Sequence, residues 1–202
     1  MRMSQLSHDT GVPVATIKFY LREGLLSPGT RTAHNQAEYT ETHVSRVRMI
    51  RTLTTVAQLS LSQVREVVAA VDTQGLSVRG LCHVVNRALS PAEAFATGMG
   101  GVEVAKDQVD NFIADLGWRV AADAPARTTL AQCLAALRAL GWDCDVDVFA
   151  PLVEAAERLT THQNDMAPGT PPVAVVARTV LFEVALTTIR RLVQEHYLTR
   201  AH

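Results

Sequence analysis

The sequence predicts a mostly α-helical chain: a helix-turn-helix with a small β-hairpin wing, followed by an all-α helical bundle. Three observations predict it. Apolar residues recur at helical spacing through most of the 202 residues. Glycine and proline punctuate those stretches. One small and polar segment, residues 25–39, breaks the helical pattern near the N-terminus. The 48% hydrophobic content is enough for real cores and too high for a disordered chain.

Leu6 and Val12 flank Thr10-Gly11, and a short helix ends there because glycine takes positive φ readily. Pro13 suits the first turn of the next helix, where its missing N–H would be unpaired anyway. Val14, Ile17 and Leu21 follow at i, i+3 and i+7, one apolar face, and Gly24 stops the helix. Two short helices around a glycine turn are the outline of a helix-turn-helix. Leu25 to Gly29 is extended and turn-like, and Thr32 to Ala37 is polar and small. Two short strands around that loop make the wing. Thr40-Glu41-Thr42 starts a third helix with Val44, Val47, Ile50 and Leu53 as its stripe. Arg46, Arg48 and Arg51 lie mostly off the stripe, available for phosphate or for a solvated face. Ser60-Leu61-Ser62 starts a fourth helix with Leu61, Val64, Val68 and Val71 inward. Asp72 to Gly80 reads as a joint, which sets an expected boundary between a domain over 1–72 and a helical effector-binding and dimerisation domain over 73–202.

Beyond the joint the pattern is helical. Leu81 to Leu89 is one segment, stopped by Ser90-Pro91, and Gly98 to Gly101 is a loop. Helices are expected over Val102–Leu116, Leu130–Leu140 and around Leu152–Leu159. The first two end alike, in Leu116-Gly117-Trp118 and Leu140-Gly141-Trp142: a left-handed glycine, then an apolar residue folding back on the last turn. Val173 to Leu198 is the longest helical pattern, about 39 Å at ~1.5 Å per residue. Its first half is apolar nearly all round, which predicts burial on more than one side, in a core or a subunit interface.

The net charge of −1 does not describe a basic nucleic-acid binder. Residues 1–72 nonetheless carry eight basic and six acidic side chains, against eleven and fourteen in the remainder. A mildly basic module on an acidic domain is compatible with DNA reading. No apolar run is expected to reach the length of a membrane span. Ser4, Gln5, Ser7, His8 and Asp9 interrupt any signal-peptide core, so a cytoplasmic protein is expected. Cys82, Cys133 and Cys144 show no CxxC spacing and read as reduced, buried small hydrophobes, not as metal ligands. Without a nucleophile–base pair, a Gly-rich phosphate loop or a paired-carboxylate motif, neither catalysis nor a cofactor is expected. Trp118, Trp142, Phe112, Phe149 and Phe182, with Phe95 and Met99, are candidates to line an apolar pocket for a small-molecule effector. Ordinary core packing is the alternative for each.

The first part resembles the MerR family of bacterial regulators. The resemblance rests on Met3-Ser4-Gln5-Leu6, on the run Thr10-Gly11-Val12-Pro13 through Ile17-Lys18-Phe19-Tyr20 to Gly24-Leu25-Leu26, on Arg31 and Tyr39-Thr40-Glu41, and on Leu59 to Arg65, all in order over residues 1–72. It implies that the second helix, Pro13 to Glu23, enters the DNA major groove. Ala15, Thr16, Lys18, Phe19 and Arg22 would then face bases or phosphates. Tyr20 would place its hydroxyl on a phosphate, the alternative being a core aromatic with its hydroxyl at the surface. Lys18 stands where the family's pattern has arginine, keeping the charge but losing the planar fork. The usual Gly-Tyr-Arg of the wing reads Asn35-Gln36-Ala37, so wing contacts would come from Arg31, His34, Asn35 or Gln36. The resemblance further implies a homodimer on a pseudo-palindromic promoter site, DNA distortion seen by RNA polymerase, and an effector that shifts the balance. A small apolar ligand is the expected effector; a C-terminal domain that only oligomerises or docks a protein is the other reading. Family members dimerise through a long helix directly after the fourth. Gly75, Gly80 and Pro91 interrupt that region here, so the Val173–Leu198 helix is expected to share or replace the contact.

Overall fold

The computed structural model describes residues 1–33, 36–90, 100–163 and 169–200. They are mostly helical, with one two-stranded sheet among the described residues. The chain forms two compact units, one from Met1–Leu89 with Gly169–His202, the other from Ser90–Pro168.

In the first unit, α1 (Met3–Thr10) and α2 (Val14–Arg22) are joined by Gly11 at φ 63°. The turn is held from three sides. The Thr10 hydroxyl donates to the Leu6 carbonyl at 2.7 Å, and the Ser7 hydroxyl donates to the Val12 carbonyl at 2.7 Å. From α3 (Glu41–Thr55), Arg48 donates to the Asp9 carbonyl at 2.9 Å, and Arg51 to the Thr10 and Gly11 carbonyls at 3.2 Å each. Two guanidinium groups thus sit on the carbonyl end of α1, where the helix dipole favours positive charge. Arg46 pairs with Asp72 and donates to the Val68 carbonyl at 3.4 Å. The three arginines offered to phosphate by the sequence pattern therefore tie helices to one another.

Strands β1 (Thr30–Ala33) and β2 (Gln36–Glu38) form the antiparallel wing, with Thr30 opposite Glu38 and Arg31 opposite Ala37. Tyr39, just after it, exchanges two backbone bonds with Met1, at 2.7 and 2.8 Å. In α4 (Leu61–Asp72) Ser60 and Gln63 form a capping box, with Ser60 N–H donating to Gln63 Oε1 at 2.8 Å. The Gln63 amide also donates at 2.8 Å to the Ala88 carbonyl, covering the end of α5 (Val78–Leu89). The long helix, here α9 (Pro172–Arg200; α6 to α8 belong to the second unit), packs on α3, α4 and α5. The core of this unit includes Leu6, Ile17, Leu25, Leu26, Val47, Ile50, Leu53, Val64, Val67 and Val85, all essentially inaccessible to solvent.

Two expectations about α9 change. Val175, Val176 and Val180 are buried, but Leu181, Phe182 and Leu186 are exposed in the single chain, so the core of this unit alone does not bury the apolar first half all round. Pro172–Thr199 is also long and apolar enough to cross a membrane, by length and composition only, with a mean hydropathy of 1.6 over its most apolar 18 residues. Arg178 and Glu183 interrupt the apolar letters, so no unbroken run announces the length.

In the second unit, α6 (Val102–Asp115) and α7 (Pro125–Ala139) pack through Ala105, Val109, Ile113, Ala131, Leu134 and Ala135. The alanines let the two backbones approach closely. A 3-10 turn (Val146–Phe149) leads into α8 (Ala150–Gln163). Helix α7 starts five residues before the expected Leu130, because Pro125 occupies a first-turn position. The backbone of the Leu-Gly-Trp endings closes as expected, while the Trp142 side chain stays 61% exposed. Gly117 and Gly141 have φ of 69° and 90°. Trp118 N–H reaches the Ile113 carbonyl at 3.3 Å, and Trp142 N–H the Leu137 carbonyl at 3.1 Å. Each loop that follows is clamped by an arginine. Arg127 donates to the Val120 and Ala121 carbonyls and pairs with Asp110 at 2.6 Å. Arg138 donates to the Cys144 carbonyl at 2.9 Å and to Gln108 at 2.7 Å.

Candidate functional site

Helix α2 is two-faced. Ile17 and Tyr20 are buried against the unit's core, while Ala15, Lys18 and Arg22 are exposed and Thr16 and Phe19 half-buried. At 3.6 residues per turn, positions 15, 18, 19 and 22 fall on one side. One apolar, one cationic and one aromatic side chain therefore lie beside a second cation on a helix whose back is fixed. Glu23, at the end of α2, pairs with Arg65 of α4, which anchors that end of the helix. Lys18 also borders an open groove of about 450 Å³ with Met3, Ser4, Val14, Ala37 and Tyr39. The groove brings the start of α1, the flank of α2 and the base of the wing together. Arg31 is exposed on β1. The backbone of Gln36 lies in β2, and His34 and Asn35 lie outside the described residues.

Tyr20 is only 6% exposed, so its ring belongs to the core, and any outward role falls to its hydroxyl. Tyr39 is equally buried and meets the His43 ring edge-on at 5.2 Å. Burial raises its phenol pKa above the ordinary value. Sequence reasoning missed Met3, Ser4 and Tyr39 at the groove. A first turn that follows no recognisable cap gives no signal of what faces it. The exposed Arg2 that precedes it was the available hint.

The apolar candidates divide. Phe112, Trp118 and Phe149 line one open cleft of about 250 Å³ in the second unit, together with Val120, Leu130, Leu152 and Val153. Trp142 is 61% exposed beyond α7, and Phe182 lies on α9 of the first unit. Phe95 and Met99 fall outside the described residues. The cleft wall is nearly all carbon. Its one cation, Arg127, is paired with Asp110 and also donates to the Val120 and Ala121 carbonyls. The Trp118 indole N–H is likewise engaged by Glu157 at 2.9 Å. Helix α8 supplies Leu152, Val153 and Ala156, a spacing readable in the sequence and overlooked in favour of aromatics. Cys133 is exposed and Cys82 and Cys144 are partly so, which corrects the expectation that all three are buried. Among the described residues no cluster of ligands suits a metal ion.

A helix-turn-helix backed by a β-hairpin, with a cationic outer face, defines a winged helix-turn-helix protein. Residues 1–71 match the sequence profile of the MerR HTH family regulatory protein. The crystal structure of a candidate transcriptional regulator from Streptomyces coelicolor is similar throughout: 31% identity, 99% of this chain and 97% of that one covered, TM-score 0.68. No curated protein is detectably similar. This chain belongs to the MerR family of helix-turn-helix regulatory proteins.

Proposed function

We propose that the chain is a DNA-binding transcriptional regulator acting in the cytoplasm as a homodimer on a pseudo-palindromic promoter site. In this reading residues 1–72 read DNA, and residues 73–202 dimerise and bind a small apolar effector. Helix α2 occupies the major groove, with Ala15, Thr16, Lys18, Phe19 and Arg22 toward bases and phosphates. Arg31, His34, Asn35 and Gln36 of the wing meet the flanking backbone. Tyr20 holds α2 on the core and offers its hydroxyl alone. Distortion of the promoter by the dimer changes what RNA polymerase encounters, at a cost of a few kcal/mol that effector binding is able to offset.

The observation that carries the reading is the outward face of α2, cationic at Lys18 and Arg22 and fixed from behind by buried Ile17 and Tyr20. The test is binding of the full chain to duplex fragments from upstream of its own gene across a salt series. Replacing Lys18→Ala and Arg22→Ala together is expected to lower affinity at least about tenfold. It should also flatten the salt dependence by about two phosphate contacts. Binding with unchanged affinity and slope would remove α2 from the interface, and the reading with it. A second reading, in which residues 73–202 only oligomerise or dock a protein, is disfavoured by the cleft. Its volume of about 250 Å³ is just under the ~300 Å³ at which drug-sized sites begin, so it suits one or two fused rings. With its cation and its indole N–H already satisfied, the wall selects an uncharged molecule.

A further inference from the structure

The groove at the base of the wing is walled by Met3 and Ser4 of α1, Val14 and Lys18 of α2, and Ala37 and Tyr39 at the end of the hairpin. That lining holds a cation and no acid. Glu38, between Ala37 and Tyr39, points to the other side of the strand, because successive side chains alternate. Ala37 leaves only a methyl group where the family's pattern has arginine, so the space is open. Tyr39 is the group without a task. Its side chain is only 6% exposed, and its ring is clamped. His43 meets it edge-on at 5.2 Å, and a Cβ at Gly29 would come within 3.1 Å of its Cε1. Among the described residues nothing hydrogen-bonds its hydroxyl, and none of them leaves a sealed side-chain polar atom unpaired. The hydroxyl therefore reaches open space, and the opening that Tyr39 borders is the groove. Burial raises the phenol pKa, so the group stays an O–H donor throughout the neutral range. Helix α1 begins beside it with no side-chain cap and no acid in its first turn, which leaves its first N–H groups to a ligand. The Tyr39 N–H donates to the Met1 carbonyl at 2.8 Å and fixes the start of α1 to the base of the wing.

We propose that this groove is a phosphate subsite holding a backbone phosphodiester of the duplex that α2 reads, with Ser4 and Tyr39 donating hydroxyls and Lys18 supplying the charge. The proposal rests on the DNA-binding reading above. It adds the start of α1 and Tyr39 to an interface assigned so far to α2 and the hairpin. The chemistry selects an oxyanion. Hydroxyl, ammonium and helix N–H donors converge on one opening, and no carboxylate lies among them. The location selects a nucleic-acid strand. Lys18 belongs both to the groove and to the outward face of α2, so an anion seated here lies within one lysine's reach of the reading helix. The phosphates of a duplex run along both edges of the major groove, and contacts to them fix register without reading sequence. A free phosphate or nucleotide carries the same oxyanion and is the other source of it. The clamped ring makes the subsite rigid before anything binds, which lowers the ordering cost of the contact.

The experiment measures the affinity of the full chain for a duplex from upstream of its own gene and for a scrambled duplex, with circular dichroism as a check of fold. Tyr39→Phe keeps the ring and removes the donor. It is expected to weaken binding to both duplexes alike, by about 3–10-fold. Ala37→Glu sets a carboxylate in the groove and should weaken both by at least about tenfold. Replacing single phosphates of the upstream duplex with neutral methylphosphonates should locate one position whose loss weakens the native chain and costs Tyr39→Phe nothing further. Duplex affinity retained by both variants overturns the subsite while leaving binding through Lys18 and Arg22 standing. A native chain that binds no duplex overturns the DNA reading and the subsite with it. Variants that keep duplex affinity but lose a rise in Tm given to the native chain by millimolar inorganic phosphate assign the groove to a free phosphate, and the strand contact falls.

Discussion

Helix α2 carries six apolar residues in nine and α8 six in fourteen, and the two helices dispose of them differently. In α2, Ile17 and Tyr20 are sealed into the core, and the outside is left to Ala15, Lys18 and Arg22. In α8, none of the residues from Ala150 to Thr160 is fully buried, and Leu152, Val153 and Ala156 border an open cleft. A helix that must present its outer face to a charged polymer needs a fixed back, because a shift of an ångström misplaces every contact. A helix seated loosely over carbon leaves a space that water fills badly and a small apolar molecule fills well. One chain thus holds a tightly backed helix in its first unit and an incompletely covered one in its second.

The largest expected effect tests the difference in burial. Ile17→Asp places a charge in a sealed site and should cost more than about 4 kcal/mol, abolishing cooperative unfolding of the first unit. Leu152→Asp, at the rim of the cleft where the side chain is 58% exposed, should cost only about 1 kcal/mol. Urea unfolding followed by circular dichroism compares them, and similar costs would erase the contrast. A middle effect separates packed from unpacked carbon inside the second unit. Ala135→Leu overfills the α6–α7 contact, which should cost about 1–3 kcal/mol, a fall in Tm of several degrees. Ala156→Phe points into the cleft and should leave Tm near the native value. It should also cancel the rise in Tm that indole gives the native chain. If indole shifts neither protein, the cleft is not a ligand site.

The smallest effect uses pH. Burial favours the neutral phenol of Tyr39, so its folded pKa lies above the value near 10 that it has unfolded. Its contribution to stability is complete below pH 10 and is lost as the pH rises through the folded pKa, because only the unfolded chain releases the proton. The second unit contains no tyrosine between residues 90 and 168. Alkaline titration above pH 10 should therefore loosen the first unit before the second, and Tyr39→Phe should flatten part of that slope. A native slope unchanged by Tyr39→Phe would assign it to other groups.

The sequence by itself determined what neighbouring residues decide among themselves. Gly11 with Pro13 sets the turn between α1 and α2. Gly117 and Gly141 set the ends of α6 and α7, and a six-residue circuit of backbone bonds suffices to enforce them. The MerR-like run of residues was legible for the same reason, since its positions are fixed by distance along one chain. Phe112, Trp118 and Phe149 were legible as apolar aromatics, but their convergence was not, and Trp142 and Phe182 carried the same signal to other places. Only the tertiary structure decided which carbonyls receive Arg48 and Arg51, and that α9 docks on α3 to α5 through Val175, Val176 and Val180. Periodicity reports which face of a helix is apolar. It holds no information about what arrives there from a hundred residues away, and that is settled by packing.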